Sequence, residues 1–435
     1  MSIKLNQRLE NFFYYIVILL PISFIFGSAI LNISIVFLNI IFFTHIIISK
    51  NFDYFKYNRI YFIFLLIFLI FQILNNIFNE NFDYFDKSIF YLRFLLLPLI
   101  FKYFSTFVQF NFSRISKIYI IILFIIIFDL FYQYTFDVNL IGYKPGLFNQ
   151  AENLYERYSG IFNDELIMGS YLSSIGFFII ALYYLFNNQK NYIFLILLGI
   201  LFLSVFLTGE RSSLINFLMS IFFIFLFIKN LRKPLLLISS IIVVIVTIGI
   251  NLSDQLKLRY LNYPLNVLTN YAYQSDNKKD NVFIFEKGYA NFMNNTHWGM
   301  HYKTAAKMFT EKPISGHGFK QFRIKCKNYS FLFDQDQLNR AGIQDGCSSH
   351  PHHYILEILS EQGLFGLIIF LFFVIHTIKD SLRLTKNRAY VLILFSIIIG
   401  YMLPLKPSGS IISTWFSSVF WLMLSFSYIK SKNQL

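Results

Sequence analysis

Charge is scarce in this chain. Only 14% of its 435 residues are Asp, Glu, Lys or Arg, against about a quarter in a soluble domain. Beside 56% apolar residues, that shortage excludes an ordinary soluble fold and a disordered chain. Cysteine is nearly absent. Cys326 and Cys347 stand alone, with no CxxC pair, which excludes a disulfide-dense scaffold and gives no support to a thiolate metal cage. No metal and no cofactor are expected. There is no Arg-rich arm and no nucleic-acid module, so the net charge of +14 does not point to nucleic acid. No internal repeat and few mid-span charges are found, which argues against a transporter or flippase. No clear small-residue cleavage site follows the first apolar run, behind Lys4 and Arg8. That run is expected to stay as a first helix.

What is present is a succession of apolar runs of about 18 residues or more, each a transmembrane candidate. Twelve are read, near 11–29, 31–49, 60–79, 88–107, 115–136, 166–187, 191–208, 212–228, 234–251, 354–378, 388–404 and 409–429. The fold class expected is an all-α polytopic membrane protein of about twelve transmembrane helices in a lipid bilayer. A large, partly helical periplasmic loop separates helices nine and ten. Residues 1–251 carry helices one to nine, 252–353 the loop, and 354–435 helices ten to twelve. The Lys and Arg residues gather in alternate short loops: Lys50, Lys56 and Arg59; Lys102, Arg114 and Lys117; Lys229, Arg232 and Lys233; Lys379, Arg383, Lys386 and Arg388; and Lys430 and Lys432 after the last span. The positive-inside rule makes that side cytoplasmic, with both termini inside and the protein in a bacterial inner membrane.

Two longer segments then fall outside, near 137–165 and 252–353. Loops beyond ~15 residues are usually functional or disordered. In the second, "HWGMHYKTAAKMFTE" reads as one helix ending at Lys312-Pro313, followed by a turn at "GHGF". Both cysteines lie in this segment. Either they pair, closing a loop worth roughly 3 kcal/mol just upstream of His350, or they remain as two thiols; an oxidising compartment favours the pair.

The polar groups at span ends are the candidates for chemistry, because charge there is costly without a role or a partner. Arg93 lies inside the fourth span, within reach of its outer end. Glu165 opens the sixth span. Glu210 and Arg211 sit in "LTGERSSL", the tight turn between spans seven and eight. A guanidinium on the outer face suits bidentate binding of phosphate, or else pairs with Glu210 or Glu165. "CSSHPHHYILEILSEQGLFG" precedes span ten and holds His350, His352 and His353. Imidazole near pKa 6.5 can accept a proton at neutral pH. With a helix over "HHYILEILSEQ", His353, Glu357 and Glu361 share one face and His352 points about 100° away. Gly363 offers a kink or a stop. The same stretch also reads as a solvated histidine patch at a helix start.

This stretch resembles the signature of the O-antigen ligase/polymerase superfamily: His352, His353, nine residues, Gly363, then Leu364-Phe365 and Gly366. "KMFTEKPISGHGFKQFR", "LTGERSSL" and the large loop before the motif fit the same pattern. The resemblance implies a glycosyltransferase that moves a glycan from undecaprenyl diphosphate to an acceptor hydroxyl at the periplasmic face, with inversion and no metal. The acceptor would be a lipid A-core sugar, another glycan or a protein. His352 would be the catalytic histidine and Arg211 a diphosphate ligand. His353 stands where the family usually has Asn. The family's arginine early in the helix before the glycine turn is missing, and His297, His301 and Lys303 stand nearby; Arg157, Arg323 and Arg340 are further cationic candidates. An O-antigen polymerase and a protein O-oligosaccharyltransferase, using the same donor, are the nearest alternatives.

Overall fold

The computed structural model describes residues 2–150, 153–163, 165–187, 191–262, 264–265, 285–384, 388–403 and 408–429. These residues are mostly helical. Six helices are long and apolar enough to cross a membrane: Ser28–Ser49, Arg59–Phe78, Phe112–Phe136, Met168–Phe186, Lys229–Leu252 and Tyr354–Leu384. Tyr192–Leu207, Arg211–Phe227, Arg388–Met402 and Thr414–Phe426 are shorter apolar helices. The distribution of apolar groups fits a lipid surround. On Phe112–Phe136, Ile118, Ile121, Ile125 and Phe128 are exposed at helical spacing, while Ile115, Tyr119, Ile126 and Leu130 are buried. An outward apolar stripe of that kind has no use in water.

Several expected boundaries move. The first two helices, Ser2–Ser23 and Ser28–Ser49, part at Gly27, whose φ of 91° suits glycine. The span expected near 88–107 is three short helices, Phe85–Phe90, Leu92–Leu95 and Leu97–Phe104. The last helix begins at Thr414, which leaves 408–413 as loop. An antiparallel hairpin, Gly146–Gln150 with Asn153–Arg157, departs from the all-α expectation within the segment 137–165. In the 252–353 segment the expected helix is present as His297–Glu311; the part from 266 to 284 lies outside the described residues.

Helix Tyr354–Leu384 is interrupted. Gly363 has φ 65° and ψ −168°, a conformation essentially confined to glycine. The segment 313–318 enters the gap. Leu364 N–H donates to Pro313 O (2.8 Å) and Phe365 N–H to Ile314 O (3.1 Å). In return His317 N–H donates to Ser360 O (3.0 Å) and Gly318 N–H to Glu361 O (2.8 Å). Donors and acceptors freed by a broken helix are thus satisfied by a second strand of chain, as buried backbone groups require. A Cβ at Gly363 would overlap the Ile314 carbonyl, and one at Gly316 would overlap the peptide between Glu361 and Gln362. Helix Arg59–Phe78 locks the splice: Asn75 Nδ2 donates to Ser315 O (2.9 Å) and Gln72 Nε2 to Gln362 Oε1 (2.5 Å). Asn81, beyond its end, donates to Phe319 O (2.9 Å).

Gly363→Ala should therefore cost about 3 kcal/mol or more, from backbone strain and overlap together. Gly342 also has positive φ but faces open space, so Gly342→Ala should cost only about 1–2 kcal/mol. Thermal unfolding of the two variants in one detergent checks the ranking; equal melting temperatures would contradict the splice.

Candidate active site

The site is assembled on one end of the bundle from three stretches of chain. The first is the start of helix His297–Glu311. Thr296 caps it, accepting Gly299 N–H at 3.0 Å. His297 and His301 then stand one turn apart. His301 is buried and its Nδ1 donates to Gly346 O (3.0 Å), which leaves Nε2 as the acceptor of the neutral ring.

The second stretch is 346–353. Cys326 and Cys347 form a disulfide, with Cα atoms 5.2 Å apart, fastening this segment to the turn of helix Cys326–Leu332. His350 donates through Nε2 to Ser408 O (3.3 Å), and its Nδ1 takes the Ser349 hydroxyl (2.9 Å). His352 has φ 56°, a left-handed backbone that few side chains adopt without help. Help comes from its carbonyl, which accepts Ser408 N–H at 2.8 Å and the Tyr302 hydroxyl at 3.3 Å. The helix begins only at Tyr354. The helical-wheel placement of His352 and His353 therefore does not hold, because both precede the helix. His353 is its cap: Nδ1 accepts Leu356 N–H at 3.2 Å. An imidazole nitrogen thus takes the place of the Asn, Asp or Ser oxygen that usually caps a helix.

The third stretch is the loop 408–413. Glu357, buried, accepts the Ser410 hydroxyl (2.5 Å) and Ile411 N–H (2.9 Å). That carboxylate holds the loop whose Ser408 grips both His350 and His352. Glu361 accepts Lys320 N–H (2.6 Å) and Phe322 N–H (3.1 Å). The two glutamates serve backbone donors in neighbouring loops.

The outcome is a row of four imidazoles. Ring centroids of His297 and His301 are 6.1 Å apart, His301 and His352 5.6 Å, and His352 and His350 4.1 Å. Desolvation disfavours the charged form of each ring, although only His301 is fully buried and the other three are half-buried. Burial, then the neighbouring His301 and the Arg211 guanidinium, push His297 down to about 4. His350 also falls to about 4, chiefly through burial, with Arg323 adding to it. His352 is held well below 6.5 by burial and by the other three rings.

Arg211 lies at the His297 end. Its Cζ is 5.5 Å from the Trp298 ring centroid, and that ring is 4.1 Å from His297. Glu210 turns elsewhere. It accepts Gly169 N–H (2.9 Å) and the Ser213 hydroxyl (2.8 Å) and pairs with Arg157 at 3.6 Å. Arg259, buried, donates from Nε to Gly209 O at 2.6 Å. Arg157, Arg211 and Arg259 thus gather round the tight turn at 209–210 with one carboxylate among them. Arg259 is the residue the sequence did not single out; a basic residue in an Asn- and Lys-rich segment carries no distinguishing pattern.

Other candidates sit apart or away from the rings. Arg323 faces the His350 end, its Cζ 5.7 Å from the Tyr84 ring centroid. Lys303 donates to the Asn294 side chain. Arg93 donates to Phe90 O (2.6 Å) and stacks over Phe94 at 4.3 Å, with no contact to the imidazole row among the described residues. Glu165 is exposed in the turn before Met168. The side chain of Arg340 lies outside the described residues. No group of three His, Cys, Asp or Glu among the described residues is placed to hold a metal ion.

Residues 196–371 match the family model described as O-Antigen ligase. That segment is what this chain has in common with the O-antigen ligase superfamily. The matched segment is about two fifths of the chain and encloses Arg211, Arg259, the imidazole row and both cysteines. A protein of Rickettsia conorii, provisionally named a polysaccharide ligase, is 30% identical over 121 residues. That stretch covers 27% of this chain and 28% of the relative, so the likeness reaches under a third of either. Beside that segment the chain is mostly helical, with six helices among the described residues long and apolar enough to cross a membrane.

The low imidazole pKa values set a pH dependence. Unfolded histidines bind protons near pH 6.5, whereas folded His297 and His350 do so near 4. Between those values the unfolded chain holds more protons, so stability is full above pH 6.5 and is lost as pH falls toward 4. Melting temperature should drop between pH 7 and pH 4.5, and His297→Gln/His350→Gln should show a visibly smaller drop. An identical drop in the double variant would contradict neutral burial of these rings.

Proposed function

We propose that this protein is a glycosyltransferase of the bacterial inner membrane. It moves a glycan from a polyprenyl diphosphate, undecaprenyl diphosphate in bacteria, to an acceptor hydroxyl at the periplasmic face. The observation that carries this reading is the meeting of a half-buried histidine, His352, whose pKa is pushed well below 6.5, with a guanidinium cluster at one end of the same bundle. The reading takes the twelve apolar segments as twelve crossings, with both termini cytoplasmic, which sets the imidazole row and Arg211 outside.

The reaction joins an acceptor oxygen to the sugar C1 and breaks the bond from C1 to the diphosphate. His352 takes the proton as the acceptor oxygen attacks from the face opposite the leaving group, which inverts C1. A neutral imidazole is the form required, and its surroundings keep it so at neutral pH. Negative charge grows on the departing diphosphate. Arg211, with Arg157 and Arg259 beside it, stabilises that charge through fixed donors in a poorly solvated site. The polyprenyl tail lies along the apolar helix faces, and helix His297–Glu311 with the disulfide-linked turn covers the reacting groups. A lipid A-core sugar is the acceptor favoured by the ligase-like histidine motif; a second lipid-linked glycan would make the enzyme a polymerase.

His352→Ala should lower transfer from a purified polyprenyl-diphosphate glycan by about a hundredfold or more, the usual worth of a general base, while the protein inserts and melts normally. Arg211→Lys should raise the KM for donor and lower kcat, because a point charge does not replace a fork. Full transfer by the His352 variant would remove the base assignment.

A further inference from the structure

We propose that Lys87, Lys320 and Arg323 form a second phosphate-binding site, beside His350, which seats the phosphate of a phosphorylated glycolipid acceptor. The proposal rests on the reading that His352 deprotonates an acceptor hydroxyl. It begins from an imbalance of charge. Lys87 Nζ lies 4.7 Å and Arg323 Cζ 5.7 Å from the centroid of one ring, Tyr84. Lys320 is close enough for both to depress its pKa after burial has done so, while the buried Glu361 and Glu357 on helix Tyr354–Leu384 oppose them in part. No carboxylate among the described residues forms an ion pair with any of the three. Arg323 Nε is buried without a hydrogen-bond partner.

Like charges repel, so such a group persists only when the fold holds it there. The means are visible. Lys320 sits at φ 59°, unusual for a residue with a Cβ, and its N–H is fixed on Glu361 Oε2 at 2.6 Å. Phe322 N–H is fixed on Oε1 of the same carboxylate. Glu361 therefore orients the backbone that presents both cations and leaves their side chains to an outside anion. A phosphate monoester, with several acceptor oxygens, fits a guanidinium and two ammonium groups. The imidazole row then has an arginine cluster for the donor diphosphate at the His297 end and a separate site for acceptor phosphate at the His350 end. His352 lies between, where an acceptor hydroxyl meets the donor sugar.

The test uses full-length protein in nanodiscs and a lipid-anchored disaccharide carrying two phosphate monoesters, before and after phosphatase treatment. Wild type should bind the phosphorylated form at least tenfold more tightly. Lys87→Ala/Lys320→Ala/Arg323→Ala should lose that preference, as should the milder Arg323→Gln in part, while His352→Ala keeps it. In transfer assays the triple variant should raise acceptor KM and leave kcat nearly unchanged. Equal wild-type affinity for the two forms, or undiminished preference in the triple variant, would overturn the site. Competition by added phosphatidylglycerol, lost in the triple variant, would move the bound phosphate from the acceptor to the bilayer and overturn the acceptor assignment. Preserved phosphate preference beside a fully active His352 variant would instead remove the base assignment and keep this site.

Discussion

The break at Gly363 and the chain that fills it govern the rest of the molecule. A helix end normally leaves several backbone groups without partners, and a bundle interior has no water to supply them. Here the 313–318 segment supplies four bonds at once, and two glycines permit the approach. Because the splice fixes 313–318, it also fixes residues 319–322. Phe319 is held by Asn81, and Lys320 and Phe322 are held by Glu361. The cationic turn and the histidine segment thus hang from two faces of one short helix, 354–362, whose position the splice sets.

Two buried carboxylates on that helix do complementary work. Glu361 arranges the loop before it in sequence, and Glu357 arranges the loop after it, at 408–411. Both accept hydrogen bonds from loop donors. Cations and neutral imidazoles are left at the surface of the site, a distribution suited to anionic, phosphate-bearing molecules and to proton acceptance. The site tolerates a left-handed His352 because the same loops bond its carbonyl.

Much of this was legible in the amino-acid sequence because it arises from local pattern. Apolar runs, the positions of Lys and Arg, helix His297–Glu311 and the special status of Gly363 are all features of a few adjacent residues. The pairing of Cys326 with Cys347 was one of two outcomes the sequence left open, favoured by an oxidising compartment, and the disulfide is formed. The features that escaped depend on contacts across long separations. Nothing near Ser408 announces that it binds His350 and His352, since those residues are over fifty positions away. Arg259 reaches Gly209 across the fold. The helical phase assigned to His352 and His353 was wrong because a helix was assumed to start at the motif, whereas His353 ends the non-helical chain as a cap. The Glu210–Arg157 pair was hidden by an adjacent arginine that sequence proximity made the more obvious partner.

Interruption of helix Tyr354–Leu384 also has a meaning for how the chain enters a bilayer. An acidic residue near the middle of an inserting helix costs about 3 kcal/mol. An unbroken helix of 31 residues would present Glu357 and Glu361 to the insertion machinery as part of one segment. Severed at Gly363, residues 364–384 alone reach about 31 Å at 1.5 Å per residue, close to the hydrocarbon thickness. The acidic part need not share the lipid with them, because its two glutamates are bonded to neighbouring loops. One glycine thereby divides a single hydrophobic stretch of sequence into a membrane anchor and a piece of the site's scaffold.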